Sequence, residues 1–242
     1  MNPEEFTRAC QQNLRLELTD RQLDQFATYY QRLAAANKHV NLTRITAEDE
    51  VYLKHFYDSL TGISAVPALA TDSLSLADIG AGAGFPSLPL LIANPQLKVT
   101  IVDSLNKRIN FLADLLDDLK LPAVTLVHAR AEDFSAKKSP HREHYDLVTA
   151  RAVARLNVLV ELCLPAVKVG GLMLAYKGSA GAEEIDQARG AIKKLGGRLV
   201  GSKTLTLPGS DEGRDLVLIK KVQATPKAYP RKAGTPKRAP LS

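Results

Sequence analysis

Apolar side chains in LTDRQLDQFATYYQRLAAANK, residues 18–38, recur at Leu23, Phe26, Ala27, Tyr30, Leu33 and Ala34. Steps of three and four are the period of a helix with one buried face. Thr19 and Gln22 stand at capping-box spacing before it, so the pattern predicts one amphipathic helix of about five turns. TAEDEVYLKHFYDSL, residues 46–60, predicts another. Thr46 is its candidate cap, and Glu48, Asp49 and Glu50 occupy a first turn where the helix dipole favours negative charge.

From residue 74 the period changes. SLADI, KVTIVD, VTLVHA, YDLVTAR and GLMLAYKG are short apolar runs separated by helix-like stretches such as NKRINFLADLLDDLK and LNVLVELCLPAV. After the helical AEEIDQARGAIKKLG, RLVGSKTLTLP and RDLVLIKKV follow with only GSDEG between them. Strand and helix in alternation predict an α/β fold with a mostly parallel seven-stranded sheet and helices on both faces. The last two runs, lacking a helix between them, should pair antiparallel at one edge. The chain divides on this reading into helical residues 1–60, an α/β unit over 61–222 and a tail over 223–242.

Composition narrows the picture. In 242 residues, 45% hydrophobic, no apolar run reaches the length of a membrane span, and the acidic MNPEEFTRACQQN lacks the layout of a secretory signal. Cys10 and Cys163 lie far apart and outside any metal-ligand spacing. The expectation is a cytoplasmic protein without disulfides, metal or membrane contact, acting as a monomer. The net charge of +6 is unevenly placed: residues 220–242 carry seven Lys or Arg and no acid. A Pro-rich basic tail of this kind can lie along a phosphate backbone or serve as a disordered, solubilising end.

The candidate chemistry sits in LADIGAGAGFPSLPLL, residues 76–91. Gly80 follows the first strand directly, and Pro86 suits the first turn of the next helix. Glycine lets a backbone approach a ligand closely, and a helix start offers free N–H donors. Asp103 ends the second strand, where a carboxylate can accept from both hydroxyls of a ribose. An acid there fits NAD or S-adenosylmethionine. The pyrophosphate of NAD asks for G-x-G-x-x-G, whereas DIGAGAG, Asp78 to Gly84, places Gly80, Gly82 and Gly84 at alternate positions. ARAEDF after the third strand puts Ala131 and Glu132 where an adenine edge could be read. These features favour S-adenosylmethionine, with Gly80, Gly82, Asp103, Ala131 and Glu132 as contacts. A structural turn at the glycines, with Asp103 merely capping the following helix, is the plain alternative.

NKHVNLT, HFYDSL, DIGAGAGFPSLPL, VDSLNKRINFL, ARAEDF and ARAVARL, in this order and spacing, resemble the ribosomal RNA small-subunit methyltransferase G family, also called glucose-inhibited division protein B. The resemblance covers the whole chain. It implies a class I methyltransferase fold with an N-terminal helical cap. It also implies methyl transfer from S-adenosylmethionine to N7 of a guanine in the 530 loop of 16S ribosomal RNA, conventionally position 527, with the RNA or the 30S particle as partner. Carried over by residue, it implies cofactor contacts at Gly80, Phe85, Ala131, Glu132 and Arg151. Ser87 stands where the family usually has glycine, and Ala36 where it usually has tryptophan. Methylation of another RNA, a protein or a small molecule is the alternative that the cofactor motif alone leaves open.

No catalytic side chain is identified. Guanine N7 carries an in-plane lone pair and no proton, so the reaction asks for positioning rather than a general base. Candidate RNA contacts are Asn41, read as a turn residue or pocket contact, His55 and Asp58, which share a helix face, and Arg151, Arg155 and Lys177, which follow the fourth and fifth strands. The last three are expected on phosphate, with salt bridges as the alternative. Cys163 reads as a core residue, and Lys137, Lys138, His141 and Arg142 as solvated surface.

Overall fold

The computed structural model describes residues 1–121, 124–178 and 181–242. Seven strands form one sheet in the order β3-β2-β1-β4-β5-β7-β6. They are β1 Ser75–Ile79, β2 Lys98–Asp103, β3 Thr125–His128, β4 Tyr145–Arg151, β5 Val167–Lys177, β6 Gly197–Thr206 and β7 Gly213–Lys221. The first five pair parallel; β7 inserts antiparallel between β5 and β6, as two strands joined by a short turn must. Strand order reverses between β1 and β4, the place where an open α/β sheet leaves a crevice at its carboxyl ends.

Alternation along each strand divides the core between the two faces. Leu76, Ile101, Leu147, Leu174 and Leu216 pack into one cluster, and their neighbours Ala77, Val102, Val148, Met173 and Val217 into the other. The first face is covered by α1 Pro3–Leu14, α2 Asp20–Val40, α5 Ser87–Ala93 and α6 Asn106–Leu119; the second by α8 Leu156–Cys163 and α9 Gly181–Lys194. Cys163 is fully buried in the second cluster.

The capping box of Thr19 and Gln22 forms as expected. Gln22 also donates to the carbonyls of Ile92 and Ala93, and Gln25 to that of Leu119. The cap helix thus satisfies carbonyls at the C-terminal ends of α5 and α6 that have no intrahelical donor. Phe6, Phe26, Tyr29, Tyr52 and Phe56 form a cluster of aromatic contacts inside the cap.

Four expectations need correction. Thr46 does not cap the next helix: the N-cap of α3, Glu48–Val51, is Ala47, with no side-chain hydrogen bond. Beyond it the helix widens to a π-helix over Tyr52–Tyr57 before α4, Asp58–Leu60. The helical reading of LNVLVELCLPAV runs too far, because α8 stops at Cys163, a 3-10 turn spans Leu164–Ala166, and β5 begins at Val167. The basic tail is not a disordered end. Pro236 and Leu241 are buried, and α10, Thr235–Arg238, lies against α8. Arg142, read as surface, is its clamp, donating to the carbonyls of Thr225 and Tyr229.

Candidate active site

Two cavities open at the carboxyl ends of the strands. The first, of about 630 Å³, is lined by Gly80 after β1, Asp103 and Ser104 after β2, Ala131 and Glu132 in the single turn α7, Ala131–Phe134, and residues 152–155 after β4. The second, of about 360 Å³, is lined by Lys54, His55, Asp58, Arg151, Lys177 and Arg214 among others. Ala152 lines both. It is a non-glycine residue at φ 57°, and such conformations gather at functional sites because only a surrounding structure can hold them.

The glycines have distinct reasons. A Cβ on Gly80 would sit 2.8 Å from Val153, and one on Gly84 would sit 2.8 Å from the Tyr29 hydroxyl and 2.7 Å from Leu88. Gly84 therefore makes room for the cap helix: the Tyr29 hydroxyl donates to the Ala83 carbonyl at 2.6 Å. A Cβ on Gly82 would meet nothing within 4 Å. Gly82 N–H donates to Asp103 Oδ2 at 3.1 Å, which ties the glycine turn to the end of β2.

Both Asp103 oxygens are engaged. Oδ1 accepts from Leu105 N–H at 2.9 Å, and Oδ2 also pairs with Arg108 at 3.1 Å. The capping and ligand readings of Asp103 are compatible through Oδ1, which accepts one hydrogen bond and keeps a second lone pair, whereas Oδ2 already accepts from Gly82 and Arg108. Asp78 lies beneath the loop, fully buried, and accepts from Ser87 N–H at 3.1 Å. Burial pushes its carboxyl up to about 6. Ser87 is itself fully buried at this start of α5.

In the second cavity Asp58, 3% exposed, is held between two arginines, Arg151 at 2.9 Å and Arg214 at 3.1 Å. Arg214 continues to Glu212, which also pairs with Lys54. Arg151 lies with its guanidinium 5.1 Å from the centre of the Phe85 ring and reaches His55 Nδ1 at 3.4 Å. A guanidinium can only donate, so Nδ1 accepts and the His55 proton belongs on Nε2, 2.8 Å from Thr43 Oγ1. Burial, and then the charge of Arg151, bring His55 down to about 3, so it stays neutral near pH 7.

The expected site residues divide accordingly. Gly80, Asp103, Ala131, Glu132 and Arg155 line the first cavity; His55, Asp58, Arg151 and Lys177 line the second. Gly82, Phe85 and Asn41 line neither. The Phe85 ring is buried and stacks with Tyr29 and His55, joining cap to sheet. Asn41 is the left-handed C-cap of α2, at φ 48°, the turn-residue reading. Arg151 is committed to Asp58, and Lys177 to Glu184 at 2.7 Å. Of the three cations expected on phosphate, Arg155 alone is exposed and without an ion-pair partner among the described residues. Sequence reasoning missed Arg214 and the tail residues Gly234, Pro236, Lys237 and Pro240, which also line the first cavity. They lie too far along the chain for any local pattern to connect them. Among the described residues no cluster of acids, histidines or cysteines could hold a metal.

A sequence profile described as rRNA small subunit methyltransferase G matches residues 22–209. The chain is 65% identical over 243 residues to ribosomal RNA small subunit methyltransferase G of Limosilactobacillus fermentum, covering 100% of this chain and 99% of that one. The same-named protein of Limosilactobacillus reuteri is 62% identical over 241 residues, with 100% of both chains covered. Among solved structures, ribosomal protein L11 methylase from Lactobacillus delbrueckii subsp. bulgaricus shares the fold, with a TM-score of 0.51 and 14% identity over 70% of this chain and 79% of that one. So does TYW2 from M. jannaschii in complex with AdoMet, with a TM-score of 0.51 and 15% identity over 66% of this chain and 76% of that one. Switch-point crevice, glycine turn, terminal Asp103 and full-length similarity agree: the chain belongs to the rRNA small subunit methyltransferase G family.

Proposed function

We propose that this protein transfers the methyl group of S-adenosylmethionine to N7 of guanine 527 in the 530 loop of 16S ribosomal RNA. The observation that carries the reading is the pair of cavities meeting at Ala152, one fitted to a nucleoside cofactor and the other walled by the cap and by Arg151. A cavity of about 630 Å³ is within the range that accepts a ligand of this size. Its lining suits a nucleoside: Asp103 Oδ1 for a ribose hydroxyl and the α7 turn with Ala131 and Glu132 for adenine; Gly82, outside that lining, is tied to it through its N–H to Asp103. When bound, the cofactor supplies a methyl group on a positively charged sulfur.

The residues then have little covalent work to do. An N7 lone pair attacks without losing a proton, so orientation, water exclusion and local charge govern the rate. Asp58, between Arg151 and Arg214, fixes the guanidinium that borders the second cavity. His55, held neutral, adds no positive charge beside a purine that becomes cationic on methylation. A phosphate contact is proposed for Arg155, which has no ion-pair partner among the described residues. Action as a monomer in the cytoplasm belongs to the same proposal; no described helix is long and apolar enough to cross a membrane.

Titration calorimetry with S-adenosylmethionine tests the cofactor assignment. The full chain should bind it, and Asp103→Ala should bind at least about tenfold more weakly, the loss of charge-assisted hydrogen bonds to ribose. Unchanged binding by that variant would remove Asp103 from the site.

A further inference from the structure

The C-terminal tail is fastened at three points that have nothing to do with phosphate. Arg231 makes a two-pronged pair with Glu161, a fully buried carboxylate on α8: Nε lies 2.9 Å from Oε1 and Nη2 2.6 Å from Oε2, while Arg231 N–H donates to Oε1 at 2.8 Å. Arg142 holds the carbonyls of Thr225 and Tyr229, each at 2.8 Å. Past Arg231 the chain turns at Gly234, φ 80°, whose N–H donates to Glu132 Oε1 at 2.8 Å. The tail thereby reaches the same α7 turn that the adenine reading uses. Gly234, Pro236, Lys237 and Pro240 line the first cavity together with Asp103 and Ala131.

We propose that residues 234–240 are part of the cofactor site, walling its adenosine end, and that cofactor binding and tail docking are coupled through Glu132. The proposal rests on the cofactor reading given above. Two features argue for a wall over an incidental contact. The buried Glu161 carboxylate makes undocking costly, because release of Arg231 would leave an unpaired charge in the core. Glu132 gives one oxygen to the tail, and Oε2 has no hydrogen-bond partner among the described residues. One side chain can therefore hold the tail and still face the ligand. Coupling of this kind is reciprocal: a ligand that binds the docked form more tightly stabilises docking by the same factor.

The test compares the full chain with a chain ending at Ala233, which keeps the Arg231–Glu161 and Arg142 anchors, and with the full-length double variant Pro236→Ala, Pro240→Ala. S-adenosylmethionine and S-adenosylhomocysteine are titrated into each, and trypsin cleavage at Lys237 and Arg238 of the full chain is timed with and without S-adenosylmethionine. The proposal expects both ligands to bind the shortened chain about tenfold or more weakly, the double variant to weaken in the same direction, and the cofactor to slow cleavage. Unchanged dissociation constants in the shortened chain overturn it, as does weakening of RNA binding alone, which would make the tail an RNA arm. If the shortened chain melts early, the double variant decides, and its unchanged affinity is contradictory. Failure of the full chain to bind either ligand would instead refute the cofactor reading itself.

Discussion

Asp58 and Arg151 show how a few side chains set the electrostatics of the second cavity. Removing Arg151 would leave a nearly buried carboxylate with Arg214 as its one ion-pair partner among the described residues. Breaking a buried pair from one side costs about 3 kcal/mol or more. Arg151→Ala should therefore lower denaturant stability by about 3 kcal/mol, and chemical unfolding curves would measure it. His55 predicts a pH dependence. Its folded value of about 3 lies below the ordinary imidazole value of 6.5, so the unfolded chain binds a proton first, and stability is lost as pH falls from 6.5 toward 3. Asp78 acts the other way: raised from 3.8 to about 6, it contributes stability below 3.8 that is lost as pH rises through 6. His55→Gln removes only the first contribution, so the variant should lose less stability than the parent between pH 6.5 and 4. Denaturation midpoints across that range provide the comparison; parallel curves would contradict the neutral, buried His55.

At the scale of elements, much was legible because the signals are local. The Thr19–Gln22 box, the 3.6-residue period of α2 and the alternation of strands with helices each arise from neighbouring residues, and each is present in the structure. Asp103 was legible for the same reason, as the last residue of an apolar strand. What was not legible is set by contacts distant in sequence. Gly84 reads as a ligand glycine from its motif, yet its missing Cβ is required by Tyr29, 55 positions earlier. Phe85 reads as a cofactor contact from its motif alone, and its second role, a buried ring stacked on Tyr29 and His55 of the cap, is set by residues distant in sequence. The consequence is testable. Gly84→Ala places a methyl against the Tyr29 hydroxyl and Leu88 at a φ of 101°, and should destabilise the protein by about 1–3 kcal/mol, as overpacking does. Gly82→Ala, with open space but a positive φ, should cost less. A thermal melt of each variant would rank them; equal losses would contradict the assignment of Gly84 to cap packing.

The whole molecule joins a cap, a sheet and a tail around one crevice, and its charge balance acts at this scale. The seven tail cations suggest an arm for nucleic acid in the sequence, but Arg231 and Lys221 face inward, paired with Glu161 and Glu143. Charge counts along a chain do not record which cations a fold consumes. Exposed Lys227, Lys232 and Arg238 remain outward, and Arg155 has no ion-pair partner among the described residues. RNA affinity should fall steeply as salt rises, and Arg155→Ala should reduce the slope of log affinity against log salt by about 1. An unchanged slope would move the phosphate path elsewhere. The central claim is the methyl transfer itself. Small-subunit particles from cells lacking this protein, incubated with the purified chain and S-adenosylmethionine, can be mapped for modified nucleosides by mass spectrometry. A single new N7-methylguanosine is expected, at the guanine in the 530 loop and absent without enzyme; an unmodified loop, or a methyl on any other base, would contradict the proposed transfer.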